Sequence, residues 1–399
     1  MNTSATNERL LVYILAGVQF THILDFMVLM PLGPQLMRVL HISAQQFALL
    51  VSAYVFVAAI ASVIAAVHVD RFDRRHVLIF VYTGFVISTL LCGFADSFES
   101  LLVARALAGA FGGVAGSVVH SILGDVIPDQ RRGTATGIVM SAFSISAVLG
   151  VPTGLYFASH FDWRAPFLLV AMLAVLVLLG VWKVVPAMRG HIRTDGKSRD
   201  AIRQLRAVFS EPNHRRAFAM IAALIFGGFS VIPFISPYMV ANVGLKETDL
   251  PYLYFFGGMA TAFTSRWFGR LSDRHGKREV FTVVAAISIL PLLMTTNLPP
   301  SPVWLAVGAS VVFFIFVSGR FVPAMALINS AALPGQRGSV LSLTSAIQQL
   351  ASGCASLLSG FLIGHTASGA LTRYWLVGLI AVACTLTAIA LAWRVKSLS

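Results

Sequence analysis

Apolar runs of about twenty residues, separated by short polar loops, recur from one end of the chain to the other. A helix rises ~1.5 Å per residue, so roughly 18–25 apolar residues cross the hydrocarbon of a bilayer. The pattern predicts twelve such spans, at 10–33, 46–68, 77–95, 100–124, 134–158, 164–185, 214–240, 249–268, 279–297, 302–330, 336–363 and 373–393. Only the turn Leu298, Pro299, Pro300, Ser301, Pro302 separates the ninth from the tenth. The apolar run from Leu10 has no cleavage site after it and is expected to be retained as the first span. One long polar stretch, residues 187–213, falls between spans 6 and 7 and divides the chain into six-span halves, 1–186 and 214–399. Within that linker Ile202, Leu205 and Phe209 recur opposite Arg199, Arg203 and Arg206. Such spacing fits either a basic amphipathic helix on a membrane face or a solvated hinge.

The two halves repeat one another. Asp70-Arg71-x-x-Arg74-Arg75 follows span 2, and Asp273-Arg274-x-x-Lys277-Arg278 follows span 8. Pro128-Asp129-Gln130-Arg131-Arg132-Gly133 precedes span 5, and Pro334-Gly335-Gln336-Arg337-Gly338 precedes span 11. Short loops recurring at the same topological places mark a duplication. The expected fold is an all-α membrane protein of twelve transmembrane helices in two pseudo-symmetric six-helix bundles, with a cavity between them that opens alternately to each side.

Composition agrees: 57% of residues are hydrophobic and 11% charged, too little polar material for a soluble surface of this size. The net charge of +13 would point to nucleic acid in a soluble protein, but its placement gives it another meaning. With the N-terminus inside, 23 of the 29 lysines and arginines fall in loops or at span ends on that side and four (Arg38, Arg164, Lys246, Arg373) on the other. This bias predicts cytoplasmic termini in a cell inner membrane, with anionic lipids rather than nucleic acid as the partner of the basic loops. The cysteines, Cys92, Cys354 and Cys384, lie in apolar stretches and read as packing residues.

Fifteen of the sixteen acids lie in loops or at span ends, leaving Asp25 well inside span 1. An ionisable group at that depth is costly unless it is paired or faces water. Arg105 in span 4 lies at a matching depth and is its expected partner, while Gln19 and His22 share a face of span 1 with Asp25. Arg320 in span 10 has no acid in any span of its own half, so it either snorkels to an interface, pairs structurally or meets an anionic substrate. Gln19, Tyr54, Tyr238, Gln348 and Gln349 are further candidates for a substrate cavity, because polar groups in spans face the bundle interior. Motifs for hydrolysis, metal binding or a nucleotide phosphate are missing from the sequence. A transporter driven by a gradient is therefore expected, without cofactor or enzymatic activity.

Gly269-Arg270-Leu271-Ser272-Asp273-Arg274-His275-Gly276-Lys277-Arg278 resembles the complete signature loop of the major facilitator superfamily. The first copy departs from it, with Ala66 and Asp73 at the two glycine positions and His68 at the leucine position. Arg105-x-x-x-Gly109-x-x-x-Gly113 resembles that family's intramembrane arginine motif. Gly150-Val151-Pro152-Thr153-Gly154, followed by Phe161-Asp162-Trp163-Arg164, resembles the antiporter motif of its drug and sugar-efflux branch, with Val151 inserted and Leu155 in place of the final glycine. The resemblance implies a monomeric, proton-coupled exporter of small organic molecules. Asp25, Arg105 and His22 would couple to protons. Asp70, Arg71, Arg74, Arg75, Gly269, Asp273, Arg274, Gly276, Lys277 and Arg278 would gate, and Gly150, Pro152 and Gly154 would supply the antiporter bend. The competing expectation is a facilitator or importer in which Asp25 and Arg105 only hold the first bundle together.

Overall fold

The computed structural model describes residues 5–68, 72–188, 208–333, 336–366 and 369–396. Among them, the chain is helical nearly throughout, because an apolar segment in lipid must satisfy its backbone polar groups internally. The first half comprises α1 (Ala5–Leu29), a short α2 (Gly33–Val39), α3 (Ala44–His68), α4 (Arg74–Phe94), α5 (Phe98–Val126), α6 (Asp129–Ile145), α7 (Val151–His160) and α8 (Ala165–Val184). The second comprises α9 (Pro212–Val231), α10 (Leu250–His275), α11 (Lys277–Thr296), α12 (Val303–Gly319), α13 (Phe321–Ala331), α14 (Arg337–Leu362) and α15 (Tyr374–Ala392). A two-residue antiparallel pairing, Gly364–His365 with Leu371–Thr372, closes the loop before α15.

Ten segments of the described residues are long and apolar enough to cross a membrane. Helices α10 and α14 have 26 residues each, long enough to cross, but carry more polar side chains. Three of the apolar spans are not single straight helices. Span 5 widens to a π-helical turn at Ser146–Gly150, just before Pro152, whose missing N–H cannot close the regular bond to residue 148. Span 7 tightens to a 3-10 turn at Ile232–Phe234, around Pro233. Span 10 divides at Arg320, three residues before Pro323.

The chain clusters into two compact units. The first is Met1–Leu32 with Ala53–Gly196, and its core joins Leu15, Val18, Tyr82, Phe85, Val118 and Val181. Here α4 lies along α5 and α8, and α1 lies against α6 and α8. The second is Gly33–Ser52 with Lys197–Ser399, and its core joins Phe218, Ile221, Phe281, Leu327, Ile328 and Ala388. Here α9 packs on α14 and α15, and α10 on α12. The segment Gly33–Ser52 thus belongs with the second unit although it precedes most of the first in sequence: Phe47 meets Phe234 edge-on at 5.7 Å, and Arg38 pairs with Glu247 at 2.6 Å. Large apolar side chains such as Phe80, Leu290 and Trp304 stand outward, as lipid-facing surfaces require. Most of the linker, including Ile202 and Leu205, lies outside the described residues; Val208 at its end is buried in the second core.

Candidate functional site

The first unit holds a fully buried ion pair. Helix α5 starts at a capping box formed by Ser97 and Ser100, which fixes Arg105 two turns into the helix. Asp25 sits one turn before the end of α1. Arg105 Nη1 donates to Asp25 Oδ2 at 2.7 Å and to the Asp25 backbone carbonyl at 3.2 Å, and neither side chain is accessible. Thr89 on α4 donates to Asp25 Oδ1 at 3.4 Å. The guanidinium lies 4.4 Å from the ring centre of Tyr54 on α3 and 5.9 Å from that of Phe167 on α8, so two aromatic faces cover what the carboxylate does not. Its Nε and Nη2 are buried without a hydrogen-bond partner among the described residues.

The arginine motif explains how those groups come so close. A Cβ on Gly109 would overlap the Tyr54 backbone carbonyl, and one on Gly112 would stand 2.7 Å from the Tyr54 hydroxyl and 2.8 Å from His22 Nδ1. The glycine face of α5 is therefore the surface against which α3 and the polar stripe of α1 lie. His22 Nδ1 is 2.7 Å from the Tyr54 hydroxyl, which links the histidine through Tyr54 to the guanidinium. One turn away, Gln19 keeps a buried, unpartnered Oε1 beside Gly116.

Gly150 and Gly154 press on α1 on either side of the same carboxylate. A Cβ on either would come within 2.7 Å of Leu24 or Val28 respectively. Ser146 donates to the Phe20 carbonyl at 3.2 Å, so the widened turn before Pro152 is tied to α1 as well. Two sequence motifs, the arginine motif of span 4 and the antiporter motif of span 5, thus converge on the turn of α1 that bears Asp25.

The gating candidates are distributed differently. Asp70 and Arg71 lie outside the described residues. Arg74 pairs with Asp125 at the end of α5, and Arg75 Nη2 donates to the Trp182 carbonyl at 2.7 Å. Asp73 accepts from the amides of Arg75 and Met188 at 2.9 and 3.0 Å. This cluster fastens the ends of α4, α5 and α8 to one another. In the second unit Gly276, at φ 94°, turns the chain from α10 into α11, and Arg278 donates to the Val395 carbonyl at 2.6 Å. Asp273 and Arg274 are exposed, Lys277 is half-buried, and a Cβ on Gly269 would meet Val322 only at an ordinary 3.8 Å.

Four of the substrate candidates make contacts within their own unit. Tyr54 is 2% exposed and committed to His22 and Arg105. Tyr238 donates to the Leu298 carbonyl at 3.1 Å and packs on Tyr374. Arg320 does not snorkel: it is 1% exposed, with Nη1 at 3.0 Å from Ser288 Oγ and 2.7 Å from Thr385 Oγ1. Gln348 donates to Met325 Sδ at 3.4 Å, while Gln349 keeps a buried Oε1 without a partner. Thr89, Phe167, Ser288 and Thr385 are the participants that sequence reasoning missed. Hydroxyls are common in spans and usually bond back to their own helix, as Thr385 also does to Ala381, so nothing in the sequence marks them. No grouping of His, Cys, Asp and Glu among the described residues could hold a metal ion.

Comparison with known proteins places this fold. A solved D-xylose–proton symporter superposes with a TM-score of 0.77 at 16% identity, over 96% of this chain and 97% of that one. A bacterial homolog of the human lysosomal transporter Spinster, solved inward-facing and unoccupied, superposes at 0.74 with 17% identity, over 98% and 95%. At such identities the likeness is one of fold. An uncharacterized MFS-type transporter of Bacillus subtilis, YceJ, is 26% identical over 91% of this chain and 92% of its own length. The putative transporter AraJ of Escherichia coli is 25% identical over 61% of each. The profile of the Major Facilitator Superfamily matches residues 15–278 and 218–398, so that duplicated halves, signature loops and bundle architecture lead to one statement: the chain is a multi-pass membrane transporter belonging to the major facilitator superfamily.

Proposed function

We propose that this transporter exports small organic solutes, weakly polar or sugar-like, in exchange for protons, with both termini in the cytoplasm of a bacterial cell. The observation that carries the reading is the inaccessible Asp25–Arg105 pair with the antiporter-motif glycines packed against the same turn of α1. An unpaired carboxyl in a low-dielectric site is favoured neutral, and one beside a guanidinium is favoured ionised. Separation of the pair as the cavity changes face therefore lets Asp25 take up a proton, and its re-formation expels that proton. His22 and Tyr54 offer a hydrogen-bonded route towards the site. Orientation follows from the basic loops, and the signature-loop residues Asp70 and Asp273 would bias which face is open.

Everted membrane vesicles test the direction. In energised vesicles whose lumen is acid, a pH-sensitive dye is followed while neutral sugars, nucleosides and lipophilic cations are added one at a time. An exporter exchanging with protons makes the lumen more alkaline for at least one class, and the response disappears in Asp25→Asn. A symporter acidifies the lumen further under the same addition. Solute uptake with no pH change would leave the chain a facilitator with Asp25–Arg105 as a structural pair.

A further inference from the structure

We propose that the exposed face of α10, at its His275 end, docks an anionic phospholipid of the bilayer, with Arg266, Arg270 and Arg274 on the headgroup phosphate and the aromatic side chains of the same face along the acyl chains. The helix has two sides. Leu253, Gly257, Phe268 and Ser272 are buried within the second unit, Phe268 against Phe316 and Gly319. At 3.6 residues per turn, Phe256, Phe263, Arg266, Trp267, Arg270 and Arg274 share a sector of roughly 100° on the other side. All six are exposed, Phe263 by 69% and Trp267 by 57%. Their order along the helix is the order of a leaflet. Tryptophan gathers where hydrocarbon meets headgroups, and the polar layer of one leaflet is roughly 5–8 Å deep. Arg266 is level with Trp267 and Arg270 lies about 6 Å further along, so both fall inside that layer. Arg274, another turn out, reaches its watery edge, while Phe256 and Phe263 extend the face into the hydrocarbon.

Charge selects the kind of lipid. Among the described residues none of these three arginines forms an ion pair. Of the neighbouring acids, Glu279 folds back over Gly276, and Asp273 stands at the edge of the sector without pairing. Three guanidinium groups therefore face the membrane with at most one carboxylate beside them. A phosphodiester presents paired oxygens that suit the planar guanidinium fork. A choline headgroup brings its own cation and gains little from this face, whereas a headgroup without one gains from each arginine.

The test uses the full-length protein reconstituted in mixed phosphatidylcholine and phosphatidylglycerol bilayers, with bromine on the acyl chains of one lipid or the other. Quenching of Trp267 fluorescence is taken as the difference between wild type and Trp267→Phe, and gives the relative binding constant of the two lipids at that position. Phosphatidylglycerol is expected to bind at least about fivefold more tightly than phosphatidylcholine. The double variant Arg266→Gln, Arg270→Gln should bring that ratio down to about one, because the two cations in the headgroup layer are gone. Arg215→Gln, which removes an exposed arginine of α9, should leave the ratio unchanged. Excess inorganic phosphate at constant ionic strength should not displace the lipid, since it lacks the acyl chains. Equal binding of the two lipids by the wild type would overturn the proposal, as would a preference that survives the double variant or falls equally in Arg215→Gln. Displacement by inorganic phosphate would overturn it too, by making the face a site for a free anion.

Discussion

Asp25 and Arg105 bury two opposite charges at 2.7 Å, an arrangement whose value depends on both members. Losing one partner from such a pair costs about 3–5 kcal/mol, whereas replacing both with neutral groups is far milder. Arg105→Ala is therefore expected to lower the thermal midpoint more than the double variant Asp25→Asn, Arg105→Ala, as scanning of the purified proteins will measure; the reverse order would mean that the carboxylate finds another partner. Asp25→Asn retains hydrogen-bonding capacity towards Arg105 and should insert and exchange substrate down its gradient. It should also lose pH-driven accumulation, with an internal-to-external ratio falling to about one in proteoliposomes. Undiminished accumulation would remove Asp25 from coupling. The pair was legible because an intramembrane acid is rare enough to stand out and helix rise gives its depth. Its surroundings were not: Thr89 and Phe167 are ordinary residues of apolar spans, and Tyr54 looks alike whether it lines a cavity or lies under a guanidinium.

Helices show the same division. Apolar length revealed the spans, but not the widened turn at Ser146–Gly150 nor the division of span 10 at Arg320, because periodicity continues across both. Small residues foretold close packing without saying which would be tightest. On α5, a Cβ at Gly109 would overlap the Tyr54 backbone, while one at Gly116 would meet only Gln19 Oε1 at 3.5 Å. Gly109→Val should therefore cost about 1–3 kcal/mol or more, and Gly116→Ala almost nothing, as chemical unfolding in detergent will compare. Equal losses would mean that α3 can back away from α5. At the end of α10, Asp273 is exposed and is proposed to favour closure of the cytoplasmic side. Asp273→Asn should raise thiol labelling of single cysteines placed on that side of the cavity, whereas an unchanged pattern with normal transport would assign the aspartate to surface charge alone.

At the scale of the whole molecule, the loops duplicated at matching places in the two halves conveyed more of the fold than any one motif. Reporters fused after Ser399 and within residues 190–205 are expected to read cytoplasmic, and one within 242–249 external. A cytoplasmic signal from the last would break the twelve-span topology. The sequence divides the chain at its linker, yet the packing draws another line, because Gly33–Ser52 is counted with the second unit. Phe47 lies against Phe234, Gly33 against Pro237 and Ala48 against Gly360. The unit of ancestry and the unit of packing therefore differ by about twenty residues. A polypeptide cut at the linker would yield a carboxyl-terminal piece lacking a wall of its own interior, which must be supplied in trans by the other piece before it is whole.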